Sequence, residues 1–403
     1  MHRWKERGEK MADLRKINEK IRLHKKAKLQ AAAAAAGIVV LLSLGVWCHM
    51  SLKPAAIPSF AELADAEADN LAKAKETQDG NGGTEDGSSS DLALSQTEAP
   101  RAPVQITVSL TGDCTLGTDE NFGWDTSLNA YYLTQGADYF LQNVREIFRQ
   151  DDLTIVNLEG TLTTSVTRED KLFAFRGDPE FINILSGSYV EAATVANNHS
   201  HDYGEQSFTD TLEAARGAGI TTFGYDETAV MDVKGTKVGL VGIYELDDHM
   251  AREQQLLDNI AKVKSEGAQI IITVFHWGNE LETVPDDTQK SLAHIAIDNG
   301  ADLVAGHHPH VLQGIEKYKG KYIAYSLGNF CFGGNTNPTD MDTIIFQQTF
   351  TVNGSEVSSD DNINIIPCSV SSEYYYNNYQ PTPAQGDNAQ RILDKIEERS
   401  QGL

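Results

Sequence analysis

The residues best suited to chemistry in this chain crowd around Pro309. His307, His308 and His310 follow an apolar run, Leu303, Val304 and Ala305, that ends in Gly306. The run is too short for a helix and reads as a buried strand that delivers polar residues at its C-terminal end. Imidazoles this close repel one another when protonated, so the cluster needs a setting that keeps them neutral, and a bound cation is the usual one. A surface turn rich in histidine is the competing reading. Pro309 rigidifies that turn and further donors end other apolar runs, which favours a site.

Those other runs lie upstream. Residues 104–110 alternate in β fashion and stop at Thr111, Gly112 and Asp113; alone, a Gly-Asp ending fits an ordinary turn equally well. A second run ends in Asn157, Leu158, Glu159 and Gly160, again a carboxylate beside a glycine. Residues 191–196 lead into Asn197, Asn198 and His199. An amide oxygen is a neutral metal ligand, and a histidine directly after it can stand beside the ion, free to handle protons. Residues 269–275, a continuous Ile/Val run, deliver His276. The ligand set read from the residues is therefore Asp113, Glu159, Asn198, His276, His308 and His310, with His199 as the catalytic group. Oxygen and nitrogen donors without thiolate fit Mn, Fe or Zn. Six donors exceed what one tetrahedral ion needs, so two adjacent ions bridged by Glu159 are expected. For His201 and Asp202 two readings stay open, a part in the site or a cap on the next helix with the two paired to each other. His249 and His294 read as structural.

The elements that must position these groups alternate. Strand-like segments at 219–225 and 237–244 join those above, and helical patterns cover 137–150, 206–216, 251–266 and 389–399. Strands alternating with helices, each placing polar residues at a strand C-terminus, predict an α/β fold with its ligand site outside those ends. Residues 317–330 read as a hairpin with Gly320 at the turn, which returns the chain to the histidines. Ser326 and Asn329 there either orient imidazoles or belong to an ordinary turn. Residues 341–370 give two more strands, expected to complete a second sheet, and the aromatic stretch 374–379 is expected to pack. The four cysteines show no CxxC spacing, and no disulfide is expected.

Charge divides the chain. Residues 1–28 hold eleven Lys/Arg against four Asp/Glu, a net of +7, and residues 31–52 carry no charged side chain over twenty-two positions. That length spans roughly 30 Å of hydrocarbon. The basic flank predicts a cytoplasmic N-terminus (1–30), a single transmembrane anchor (31–52) and an extracytoplasmic body. A cleaved signal peptide is the alternative; the long N-terminal arm and long apolar stretch favour an uncleaved anchor in the cell membrane. Residues 53–102 form an acidic linker that dissolves into Gly and Ser and cannot bury a core. The domain is expected at 103–370, with a C-terminal tail and short helix at 371–403. The whole chain carries −25; residues 1–28 hold +7 and 29–100 hold −7, so residues 101–403 carry −25 − 7 + 7 = −25. Such a body repels nucleic acid, which is excluded as a partner.

The ordered set Gly112-Asp113, Asn157-Leu158-Glu159, ANNH ending at His199, HDYG ending at Gly204, HWG from His276, GHHPH ending at His310 and YSLGNF ending at Phe330 resembles the CapA, or poly-γ-glutamate synthesis, protein family. That family belongs to the calcineurin-like metallophosphoesterase superfamily, and the resemblance covers about 104–332. It implies a four-layer α/β/β/α sandwich acting at the membrane in making or exporting a capsule-like polyanion, with a polymer synthase or export complex as partner. Carried over residue by residue, the superfamily's first aspartate falls on Asp113, its bridging carboxylate on Glu159, its asparagine on Asn198, its catalytic histidine on His199 and its later histidine ligands on His276, His308 and His310. Thr115 stands where the superfamily places a histidine and Glu159 where it places an aspartate; both departures are shared with CapA-type proteins, so the count of ions, one or two, stays open. The implied substrates are an anionic polymer or a phosphate ester.

Overall fold

The computed structural model describes residues 102–359 and 363–403. The expectations for the basic N-terminus, the anchor at 31–52 and the linker up to residue 101 lie outside the described residues. Among the described residues no helix is long and apolar enough to cross a membrane.

The described residues open with β1 (Val104–Thr115), whose start is the alternating run. Helices α1 (Leu128–Gln135) and α2 (Arg145–Gln150) follow, then β2 (Leu153–Glu159), a two-stranded ribbon of β3 (Thr161–Leu162) and β4 (Arg176–Gly177), α3 (Asn183–Ser186) and β5 (Ala192–Thr194). Helix α4 (Glu205–Gly217) leads to β6 (Thr221–Phe223), β7 (Ala229–Val233) and β8 (Thr236–Tyr244). Next come α5 (Glu253–Ser265), β9 (Ile270–His276), α6 (Asp287–Asp298) and β10 (Leu303–His307). A hairpin of β11 (Ile315–Tyr318) and β12 (Lys321–Ala324) turns through Lys319 and Gly320, both at positive φ, the pairing a tight two-residue turn demands. Strands β13 (Asn329–Phe332), β14 (Asp342–Asn353), β15 (Glu356–Ser358), β16 (Ile363–Ser369) and β17 (Thr382–Pro383) precede the closing helix α7 (Gly386–Ser400).

Two sheets carry the fold. The first runs β17-β16-β14-β1-β2-β5-β6, with β13 beside β1 and β15 beside β14; the second runs β11-β12-β10-β9-β8-β7. Strand alternation sorts their side chains. Ile106, Val108 and Leu110 of β1, with Leu153 and Ile155 of β2, share one core with Ile270, Ile272 and Val274 of β9 and Leu303 and Ala305 of β10. The opposite face of the first sheet buries Val156 and Leu158 against Leu128, Phe148, Leu185 and Ala215 of the helices. The opposite face of the second buries Val241, Ile243 and Val304 against Leu256, Ile260, Leu292 and Ala296 of α5 and α6. The fold is α/β.

Three expectations are corrected. Residues 137–150 are not one helix: a short 3-10 turn (Ala137–Tyr139) and α2 are separated, and α1 lies before them. The strands of 341–370 join the sheet of β1, because β14 pairs antiparallel along most of the length of β1 from Val104 to Thr111. Of the aromatic stretch only Tyr379 packs; Tyr374, Tyr375 and Tyr376 are exposed. The tail turns back onto the body, where Ile392 and Ile396 of α7 enter the core between the sheets. Arg391 and Lys395 on the same helix pair with Asp342, and Lys395 with Asp340.

Candidate metal centre

The alternation that builds the core also aims the ligands. His276 continues the inward row Ile270, Ile272 and Val274, His307 continues Leu303 and Ala305, and Asn157 and Glu159 continue Leu153 and Ile155. Strand β1 needs a device, since its inward row occupies even positions and Asp113 is odd. Leu110 pairs with Ile155 and Asp113 with Asn157, three steps against two, so a bulge adds one residue. A one-residue slip moves a side chain to the other face, and here it turns Asp113 inward. Gly112 permits this: a Cβ there would stand 2.2 Å from the Gly328 carbonyl oxygen, the same oxygen that accepts from the Asp113 amide at 2.9 Å.

Asp113 is the hub of the cluster. Its Oδ1 accepts from Asn157 Nδ2 at 2.8 Å and lies 2.9 Å from His307 Nδ1; its Oδ2 lies 3.2 Å from His310 Nδ1. Asn198 Oδ1 lies 2.8 Å from His276 Nε2, and the His276 and His308 ring centroids are 4.9 Å apart. Glu159 accepts from Thr115 Oγ1 through Oε2, at 3.1 Å. Its other oxygen, Oε1, is buried without a hydrogen-bond partner among the described residues, 3.7 Å from His310 Nε2 and 3.9 Å from His276 Nε2. Buried acceptors without donors are costly, and an oxygen surrounded by ring nitrogens at these distances is placed for a shared cation. Among the described residues His308 Nδ1 and His307 Nε2 are also buried and unpartnered. The donor set, oxygen and imidazole nitrogen without thiolate, fits a divalent metal. One ligand atom each from Asp113, Glu159 and His310 falls within 4.8 Å of the others, as does one each from Glu280, His308 and His310.

The electrostatics agree with a site built around positive charge. Burial pushes the Asp113 carboxyl up, but hydrogen bonds from His307 and His310 hold it well below its usual range. Burial raises Glu159. Burial likewise drives His276 well below the usual imidazole value and His308 down to about 3, helped by neighbouring rings. His310 is the exception: burial opposes its charged form, yet Glu159 and Asp113 lift it to about 10. Two buried carboxylates facing one imidazole demand a positive charge, which a ring proton or a divalent cation supplies. Strain accompanies the geometry. His308 sits at φ 95° and His310 at φ 56°, a backbone region side chains with a Cβ rarely adopt, which costs of order 1–3 kcal/mol each.

The structure thus brings Asp113, Glu159, Asn198, His276, His308 and His310 together, and His199 lines the same groove as His310. His199 Nδ1 lies 2.7 Å from Asp202 Oδ2, whose other oxygen takes Lys171 Nζ at 2.7 Å. The notion of His201 and Asp202 paired to each other is corrected: His201 faces Glu205 instead, and Gly204 precedes α4. Asn329 Oδ1 accepts from His310 Nδ1 at 2.9 Å, whereas Ser326 Oγ donates to the Val311 carbonyl. The ligand set read from the sequence left out His307, although it belongs to the imidazole cluster, and it missed Asn157 and Glu280 as members and Lys171 as a neighbour of His199. Asn157 was legible in principle, as the residue two before Glu159 on the same strand face. Among the described residues Cys114, Cys331 and Cys368 are buried and free.

Residues 107–334 match the family model described as bacterial capsule synthesis protein PGA_cap. The chain is 30% identical over 242 residues to a protein named PGA biosynthesis protein CapA from Bacillus subtilis (strain 168), which covers 55% of this chain and 63% of that protein. It is 27% identical over 292 residues to a capsule biosynthesis protein CapA from Bacillus anthracis, over 66% of this chain and 68% of that one. The match therefore spans somewhat under two thirds of the Bacillus subtilis protein's length. Among solved structures, a 5'-nucleotidase from Candida albicans SC5314 aligns at 13% identity with a TM-score of 0.39, over 73% of this chain and 57% of that one.

Proposed function

Because the chain belongs to the bacterial capsule synthesis protein family PGA_cap, we propose that it acts in the synthesis or export of an anionic surface polymer of the capsule or poly-γ-glutamate kind, through a divalent-metal site of the metallophosphoesterase type. The observation that carries this is Glu159 Oε1, buried and unpartnered between the ring nitrogens of His276 and His310. Helices on the outer face of each of two sheets, with the candidate ligands at strand C-terminal ends, support the four-layer α/β/β/α reading.

The chemistry the site supports best is hydrolysis of a phosphate ester, with a cell-envelope ester as the alternative substrate to the polymer itself. A bound cation of this class acidifies water and offsets phosphoryl charge. Asp113, Glu159, Asn198, His276, His308 and His310 would hold it. His199 has Nδ1 fixed by Asp202, which leaves Nε2 to deliver a proton to the departing oxygen. Asn157 binds Asp113 and His276 together and keeps both rows in register. The chain's place at the membrane is part of the same proposal and rests on the charge pattern of residues 1–52.

Metal analysis after reconstitution, with parallel assays on a generic monoester and diester and on polymer production, tests this reading. His199→Ala should abolish turnover while metal content is retained. An unaltered fold that binds no metal would overturn the proposal. Loss of polymer in metal-ligand variants, with no ester cleaved by the parent protein, would instead assign the site to binding within an export complex.

A further inference from the structure

Above His199 and His310 the site opens into a groove of about 180 Å³. One wall is aromatic without a break. The Phe175 ring lies 4.6 Å from His199, Phe173 runs nearly parallel to Phe175 at 6.4 Å, and Phe122 follows at 5.9 Å. Across the groove Phe332 rests 5.6 Å from His310. Phe173 is 41% exposed and Leu281 55% exposed. Leu281 sits at φ 64°, strained for a residue with a side chain, and its amide is pinned to the Pro309 carbonyl at 2.9 Å, so the loop after His276 is tied to the turn that carries the histidines. Water-facing phenylalanine and a strained, water-facing leucine beside a polar centre mark a binding surface.

The charges on this groove say what it does not hold. Besides the histidines, its charged lining is Glu280 and Asp340, both carboxylates, with Asp340 paired to Lys395. Lys171, whose Nζ lies 3.4 Å from His199 Nδ1, is committed to Asp202 and the Asn198 carbonyl. Among the described residues no Lys or Arg lines this path, so a repeating polyanion would meet carboxylates there and no uncommitted counter-charge. We propose that the groove is a second subsite that takes an apolar organic group, so that the ligand of this site is an amphiphilic phosphate ester. One phosphoryl group faces the metal ligands, and an aryl or long-chain alkyl group lies along Phe122, Phe173 and Leu281. This rests on the metal-site reading above and narrows its substrate class.

Calorimetric titration of the full chain reconstituted with Mn²⁺, using non-hydrolysable phosphonates, tests it without reference to turnover. Phenylphosphonate or octylphosphonate should bind about tenfold more tightly than methylphosphonate, the gain for burying part of an apolar group. The order between the two separates a ring from a chain as the occupant. Phosphonoacetate, with a second charge, should bind no better than methylphosphonate. Phe173→Ala and Leu281→Ala, surface changes that should leave the melting temperature in place, should collapse the preference. Equal binding of methyl-, phenyl- and octylphosphonate, tightest binding of phosphonoacetate, or a preference indifferent to both substitutions would overturn the subsite alone. Failure of every phosphonate to bind would remove the metal-site reading and the subsite with it.

Discussion

His310 shows what a single ring must satisfy in this site. Its Nδ1 is shared between Asn329 Oδ1 at 2.9 Å and Asp113 Oδ2 at 3.2 Å, while Nε2 is directed at the unpartnered oxygen of Glu159. Asn329 also donates to the His310 carbonyl at 3.3 Å, so one amide fixes both ring and backbone of a residue held at positive φ. Groups that orient a metal ligand typically matter 10–100-fold in affinity. Asn329→Ala should weaken metal binding by about that factor, read by competition with a chelating dye; affinity equal to the parent's would strip Asn329 of the role. His308 and His310 were legible because few settings other than a metal explain three imidazoles around a proline. Asp202 was not, because the sequence offers His201 as its neighbour, whereas the turn after β5 folds His199 back onto it at 2.7 Å. Lys171 lies in a loop with no pattern of its own, and nothing in its surroundings along the chain points to Asp202.

At the scale of elements, β1 carries the site's most demanding local geometry. Its inward parity changes between Leu110 and Asp113, and only glycine fits where the bulge meets the Gly328 carbonyl. Gly112→Ala would force that carbonyl away and with it the start of β13. Overpacking and backbone displacement of this kind should cost about 2–4 kcal/mol, seen as a lower urea midpoint, and metal affinity should fall with Asp113 misplaced. A variant with the parent's midpoint and affinity would show that the bulge tolerates a methyl group. The strands themselves were readable wherever an apolar run ended in a ligand, since period and ending point the same way. The bulge was not, because a two-residue period carries no mark of where a residue is added. Helix α1 was missed for a related reason: LNAYYLTQ buries only Leu128 and so lacks an amphipathic stripe. The pairing of β1 with β14 joins residues more than two hundred positions apart, a choice made by packing and not by local pattern.

For the whole molecule, the tail and the far end of the first sheet decide stability away from the site. Residues 371–403 read as a tail closed by an amphipathic helix at 389–399; the apolar face of that helix, Ile392 and Ile396, is what the folded chain places in the core. The opposite, N-terminal ends of β2 and β5 gather acids. Glu191 accepts from the Thr154 amide at 2.8 Å and Asp151 from the Thr154 hydroxyl at 2.7 Å. Burial lifts Glu191 to about 7 and Asp151 to about 6. A carboxyl whose folded pKa exceeds its unfolded value binds more protons when folded, so its contribution falls as pH rises from about 4.5 through the folded pKa. The depressed imidazoles of His276 and His308 act in the opposite sense over part of that window, so the parent's own pH profile mixes the two. A difference separates them. Glu191→Gln keeps an acceptor for Thr154 and removes the titration, so its stability relative to the parent should climb between pH 4.5 and 7.5. The gain should reach about 1–3 kcal/mol once solvent screening of a partly exposed group is allowed for. Urea unfolding of both proteins at pH 4.5, 6 and 7.5 measures it. A difference that stays constant across the three would mean that Glu191 titrates alike in both states, and that the acid cluster below β2 and β5 is better hydrated than its burial implies.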